Sequence, residues 1–123
     1  MGAGTFLREK NPDVQIVAME PAESPVLSGG NPAPHGIQGI GAGFVPDILD
    51  INLIDSIEQV RTDEAISAAR EIASKESLFV GISSGASALV ARRVAERQPN
   101  ARVVTILPDT AERYLSTTLF TEL

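Results

Sequence analysis

The sequence predicts an α/β fold: a three-layer arrangement with a parallel sheet and helices on both of its faces. Three observations carry this. Short runs rich in β-branched residues, 14–19 and 103–107, are bounded by turn residues, as in strands buried on both faces. Between such runs lie two stretches in which apolar residues recur at helical spacing. From residue 56 onward the two patterns alternate, as right-handed crossovers over a parallel sheet require.

Taken in order, the run Val14-Gln15-Ile16-Val17-Ala18-Met19 reads as a central strand. Residues 21–46 then hold five of the eight prolines and six of the ten glycines, so regular structure is not expected over most of them. A segment of that length without regular structure is a lid, a binding loop or a disordered linker. A second strand is expected at 56–60. Ala65, Ile66, Ala69, Ile72 and Ala73 then place an apolar stripe on a helix over 63–75, with Thr62 or Asp63 as N-cap and Glu64 complementing the dipole in the first turn. A third strand, 78–82, leads to a helix beginning near Ser84 and running to Arg97. Its apolar stripe is Ala86, Leu89, Val90 and Val94, and it stops before Pro99-Asn100. A strand at 103–107 completes a βαβαβ unit over 56–110.

Composition narrows the function classes. A chain of 123 residues with 43% hydrophobic content fills one core and leaves no room for a second. Ten basic against sixteen acidic residues give a net charge of −6, which disfavours nucleic acid and anionic membrane as partners. With no cysteine there is no disulfide, thiolate metal site or thiol nucleophile, and no metal site is expected. No apolar run is long enough to span a bilayer, and the first ten residues lack the pattern of a secretion signal. A soluble, cytoplasmic protein is the expectation.

Four segments are candidates for chemistry. Gly81-Ile82-Ser83-Ser84-Gly85 joins a strand-like stretch to a helix, which puts hydroxyls and free N–H groups at the positive end of the helix, by the ligand-collecting edge of a sheet. The same residues also serve as a serine N-cap followed by a small residue for close packing. Gln38-Gly39-Ile40-Gly41-Ala42-Gly43-Phe44 has the alternating glycines of a dinucleotide loop, but Pro46 follows too soon for the helix such a loop needs. A loop whose bare backbone approaches a ligand is the better reading. Leu107-Pro108-Asp109-Thr110 would lie at the same sheet edge, or form an ordinary Pro-Asp turn. His35, the only histidine, cannot by itself bind a metal and is expected to be a mobile surface imidazole. No serine–histidine–aspartate arrangement is arguable from these spacings, and no residue is assigned a catalytic role.

Four strings stand in the order and spacing of one family. They are Leu27-Ser28-Gly29-Gly30, the run from Ile37 to Pro46, Gly81-Ile82-Ser83-Ser84-Gly85-Ala86, and Glu112-Arg113-Tyr114-Leu115-Ser116-Thr117. The chain resembles the C-terminal part of the cysteine synthases (O-acetylserine sulfhydrylases), pyridoxal 5'-phosphate enzymes of the tryptophan-synthase-β-like fold, fold type II. The resemblance covers essentially residues 1–123. It implies that Ser84, the serine before Gly85, meets the pyridine nitrogen of the cofactor. A neutral hydroxyl there does not hold the nitrogen protonated as an aspartate would, and the weaker electron sink still suffices to eliminate acetate from a β-carbon. It further implies that Gly39 and Gly41 line the substrate side of the cofactor and that Pro108 forms a wall near the ring.

The departures from the family also matter. Its cofactor-bearing lysine, its asparagine-containing substrate loop and its Gly/Thr-rich phosphate cup all precede the matching segment and have no counterpart here. The only lysines, Lys10 and Lys75, fall on polar helix faces. The chain reads as beginning inside the helix that would cradle the phosphate, as expected of a fragment or truncated product. Two functions follow from the resemblance. One is part of a cysteine synthase that makes L-cysteine from O-acetylserine and sulfide, in a homodimer, inactive alone. The other is a truncated non-catalytic paralogue, at most a binding module for the C-terminal tail of serine acetyltransferase. The first residues of the helix near Ser84 are the part of the chain on which both rest.

Overall fold

The computed structural model describes residues 1–121. Strands β1 (Val17–Pro21) and β2 (Ser56–Val60) pair in parallel, from Val17 opposite Ser56 to Pro21 opposite Val60. Three α-helices accompany them: α1 (Gly2–Lys10), α2 (Thr62–Glu76) and α3 (Ile82–Arg97). Short 3-10 turns cover Ile51–Leu53 and Ala111–Tyr114. The fold is thus mixed α/β with a parallel sheet, and β2 has the expected limits.

α2 starts at Thr62, but its N-cap is Arg61 and not Thr62 or Asp63. The Glu64 carboxylate accepts the Arg61 backbone N–H at 3.0 Å, which satisfies one donor at the helix end. Thr62 is employed elsewhere. α3 begins at Ile82, two residues before the position read from the sequence, with Gly81 as its N-cap and no side-chain cap. Ser83 and Ser84 therefore lie inside the first turn.

α2 and α3 pack on each other, and α3 also touches β2. At the crossing, an ideal Cβ on Gly85 would fall 2.3 Å from the Ala65 carbonyl oxygen and 2.8 Å from the Ala69 Cβ, so only glycine admits this approach. The small residue of the turn thus serves helix–helix contact. Val60, Ala65, Ala69, Ile82, Ala86 and Leu89 form the centre of the core. Arg93 fastens the arrangement from the rim, donating to Glu64 at 2.7 Å and to the Gln59 carbonyl at 3.1 Å.

Two expected strands do not form ladders. Within 78–82 only Val80 pairs, in a single antiparallel bridge to Thr110, because the helix has already begun at Ile82. Residues 103–107 form no strand and are unpaired among the described residues, with Val104 84% and Ile106 75% exposed. A groove of about 700 Å³, lined by residues 14–17 and Met19, by one side of α3 and by residues 101–105, separates this run from β1. An apolar β-branched run becomes a strand only when a neighbouring edge offers its N–H and C=O groups; here the groove stands in that place. No helix among the described residues is long and apolar enough to cross a membrane.

Candidate functional site

The first turn of α3 is built into a polar corner. The Asp109 carbonyl accepts the Gly81 N–H at 3.2 Å and the Ser84 hydroxyl at 3.2 Å, which draws the 108–110 segment onto the start of the helix. The Asp109 carboxylate lies over Gly81, where an ideal Cβ would sit 2.0 Å from its Oδ1. That oxygen is buried without a partner among the described residues, while Oδ2 accepts the Tyr114 hydroxyl. The hydrogen bond to Asp109, together with burial, pushes the Tyr114 phenol above its ordinary value. A carboxylate at this end of the helix is favoured by the dipole.

Within the turn the two serines differ. Ser84 is fully buried and spends its one proton on the Asp109 carbonyl. Ser83 is 5% exposed, and among the described residues its hydroxyl has no hydrogen-bond partner and is not sealed from solvent. The first-turn N–H groups of a helix have no intrahelical acceptor, so this end offers several donors and one uncommitted hydroxyl.

The 22–50 segment contains no helix or strand, yet polar side chains fasten it at several points. Glu20, buried at the end of β1, accepts the Leu27 N–H at 2.7 Å and the Ser28 N–H at 3.2 Å, together with the Ser28 hydroxyl. Glu23 accepts the Thr62 N–H at 2.7 Å, and the Thr62 hydroxyl accepts the Gly36 N–H at 2.9 Å. Burial pulls the Glu23 carboxyl up, but hydrogen bonds led by that from Thr62 outweigh it and hold the group below the usual carboxylate range. His35, expected as a mobile surface imidazole, is half-buried, and its two ring nitrogens contact the Ile37 N–H and the Gly41 carbonyl. Gly39, Gly41 and Gly43 all have positive φ, at +91°, +64° and +82°. At Gly41 a Cβ would strike both His35 and Pro21, so the loop doubles back over the carboxyl end of β1.

Of the residues expected at a site, Ser84 and Pro108 are brought together, Pro108 being exposed beside the Asp109 that receives the Ser84 proton. Gly39 and Gly41 lie on the exposed loop carried by Thr62, at the start of α2, while Gly85 of α3 rests on Ala65 one turn further along. The beginning of α2 is thus the common seat of loop and turn. Lys10 and Lys75 are away from both. The Lys10 ammonium lies 5.5 Å from the centre of the Phe6 ring, and Lys75 pairs with Glu71 at 2.7 Å. The sequence places Ser83 in the candidate turn but gives the ring-nitrogen role to Ser84, and it does not indicate the Asp109–Tyr114 contact. Setting the helix start at Gly81 from its glycine would have put both serines in the first turn; nothing local marks the Asp109–Tyr114 contact.

Comparison with known proteins gives consistent results. The family model described as "Pyridoxal-phosphate dependent enzyme" matches residues 1–109. A cysteine synthase of Staphylococcus aureus (strain N315) is 47% identical over 120 residues, 97% of this chain and 39% of that protein. The crystal structure of O-acetyl serine sulfhydrylase isoform 3 from Entamoeba histolytica is similar at TM-score 0.95 and 45% identity, over 99% of this chain and 37% of the other. An O-acetylserine dependent cystathionine beta-synthase from Helicobacter pylori is similar at TM-score 0.87 and 41% identity, over 97% of this chain and 39% of the other. The chain therefore spans 39% of the length of the curated relatives it matches.

Proposed function

The chain belongs to the pyridoxal-phosphate dependent enzyme family, and on that premise we propose that it is the C-terminal portion of a cysteine synthase. The reaction is β-replacement, making L-cysteine from O-acetylserine and sulfide. The observation that carries this reading is the polar corner at the start of α3, with its free Ser83 hydroxyl, in a chain 47% identical to cysteine synthases.

The residues present fit the ring-nitrogen side of the cofactor. A pyridine nitrogen that stays unprotonated needs a donor, and a hydroxyl has one proton to give. Ser84 gives its proton to Asp109, so of the two serines the geometry favours Ser83 as the partner, in place of the Ser84 expected from the motif. Tyr114 occupies Oδ2 of Asp109 and Oδ1 is buried over Gly81, so the group this turn offers toward the nitrogen is the neutral Ser83 hydroxyl. When bound, pyridoxal phosphate supplies the electron sink for loss of acetate from the β-carbon, and a neutral partner keeps that sink weak. Pro108 walls the ring, and Gly39 and Gly41 present bare backbone to the substrate. Lys10 and Lys75 do not fit the covalent role, so the lysine and the phosphate cup come from another part of the enzyme. In this reading the working unit is a cytoplasmic homodimer and the isolated chain is inactive.

The test is complementation with a separately expressed N-terminal portion of a cysteine synthase. Retained cofactor absorbance and cysteine formation in the mixture, absent from either part alone, are expected. A mixture that holds no cofactor beyond that held by the N-terminal part would contradict the reading. A second reading, a non-catalytic module for the serine acetyltransferase tail, draws support from the lysine positions and from Phe44, exposed beside the glycine loop. Titration with a tail peptide decides it, and no detectable binding would remove it.

A further inference from the structure

We infer that His35 is a positioning residue that holds the loop of Gly39, Gly41 and Gly43 against the carboxyl end of the sheet. The ring bridges two backbone groups of the same loop. Its Nδ1 accepts the Ile37 N–H at 3.2 Å, and its Nε2 lies 3.0 Å from the Gly41 carbonyl oxygen. A carbonyl only accepts, so Nε2 carries the hydrogen; an N–H only donates, so Nδ1 is bare. The contacts thus assign a neutral imidazole in a single tautomer.

The base of this clip is fixed independently of the ring. Gly36, next to His35, donates to the Thr62 hydroxyl at the first residue of α2, and its own Cβ would fall 2.5 Å from the Thr62 Cγ2. Thr62 is held in turn by Glu23. From this footing the imidazole reaches forward to Gly41, where an ideal Cβ would lie 2.5 Å from Nε2 and 2.6 Å from the Pro21 Cγ. The middle glycine is therefore clamped between the ring and the last residue of β1. Three positive-φ glycines make the stretch costly to order, since glycine loses the most conformational freedom on folding. Apart from the His35 contact, no protein hydrogen bond to the backbone of 39–43 is present among the described residues. Ile37 is buried in the core and Ile40 packs against it, so among the described residues His35 supplies the one side-chain hydrogen bond to a loop whose apolar residues are also anchored. That this backbone faces substrate rests on the reading above, whereas the clip itself does not.

The test uses the full chain and needs no cofactor. Ring nitrogen NMR shifts of His35 should report the Nε2–H tautomer, and amide exchange at Gly41, Ala42 and Gly43 should rise about tenfold in His35→Ala with α2 and α3 amides unchanged. His35→Gln, which keeps a donor at Nε2 reach, should recover most of the protection. An Nδ1–H tautomer, or unchanged loop exchange in His35→Ala, would overturn the inference; if His35→Ala does not fold, the wild-type tautomer and the glutamine variant still decide. In the complemented enzyme, His35→Ala should raise KM for O-acetylserine several-fold more than it lowers kcat. An unaltered KM beside a loosened loop would keep the clip and remove the substrate assignment alone.

Discussion

Residues 22–50 and residues 99–110 have opposite histories in this chain. The first segment is rich in proline and glycine, forms no helix or strand, and is nevertheless fastened by the side chains of Glu20, Glu23, Thr62 and His35. The second carries at 103–107 an apolar run typical of a central strand, and that run pairs with no strand among the described residues, with Val104 and Ile106 facing solvent. Order in the first comes from buried polar groups that find partners. Its absence from the sheet in the second comes from a ladder with no neighbour. Local composition reports on neither, because both outcomes depend on what lies opposite.

The largest expected effect comes from removing the anchor of the first segment. Glu20→Ala deprives two backbone N–H groups and a hydroxyl of one buried acceptor and should cost about 3 kcal/mol, read as a lower denaturation midpoint. Unchanged stability would mean that the loop is held by its own turns. A smaller effect is expected at the seat of the loop. The Arg61 N–H, opposed by burial and helped by the Arg93 charge, holds the Glu64 carboxyl below its ordinary 4.5. A depressed carboxylate stabilises the fold above its unfolded value, and that contribution is lost as pH falls through the lower folded value. Stability should therefore drop below about pH 4.5, and Glu64→Gln should flatten this acid limb by about 1 kcal/mol while lowering stability at pH 7. An acid limb of the same depth in the variant would place the loss elsewhere. The smallest effect belongs to the second segment. Val104→Ser with Ile106→Ser should change stability by no more than about 0.5 kcal/mol while reducing self-association in sedimentation. A large destabilisation would show that these side chains are already packed.

The same contrast explains what was legible. α2 is legible because Ala65, Ile66, Ala69 and Ile72 repeat at helical spacing, and β2 from its place before that helix in the alternating order. α3 starts two residues before the expected serine because Gly81, and not a serine, provides its cap. That shift hid the difference between Ser83 and Ser84, which rests on a partner 25 residues away at Asp109. The motif strings indicated the family and the turn but could not say which hydroxyl is free. The contacts of His35 are not legible in the sequence, because they depend on positive φ angles at Gly39 and Gly41.

The central claim is that an uncommitted hydroxyl in the first turn of α3 meets the nitrogen of the cofactor ring. Its most direct measurement is the cofactor absorbance spectrum of the complemented protein carrying Ser83→Ala or Ser84→Ala. Ser83→Ala should alter the spectrum and weaken cofactor retention, and Ser84→Ala should keep the wild-type spectrum. An altered spectrum for Ser84→Ala beside an unchanged one for Ser83→Ala would contradict it.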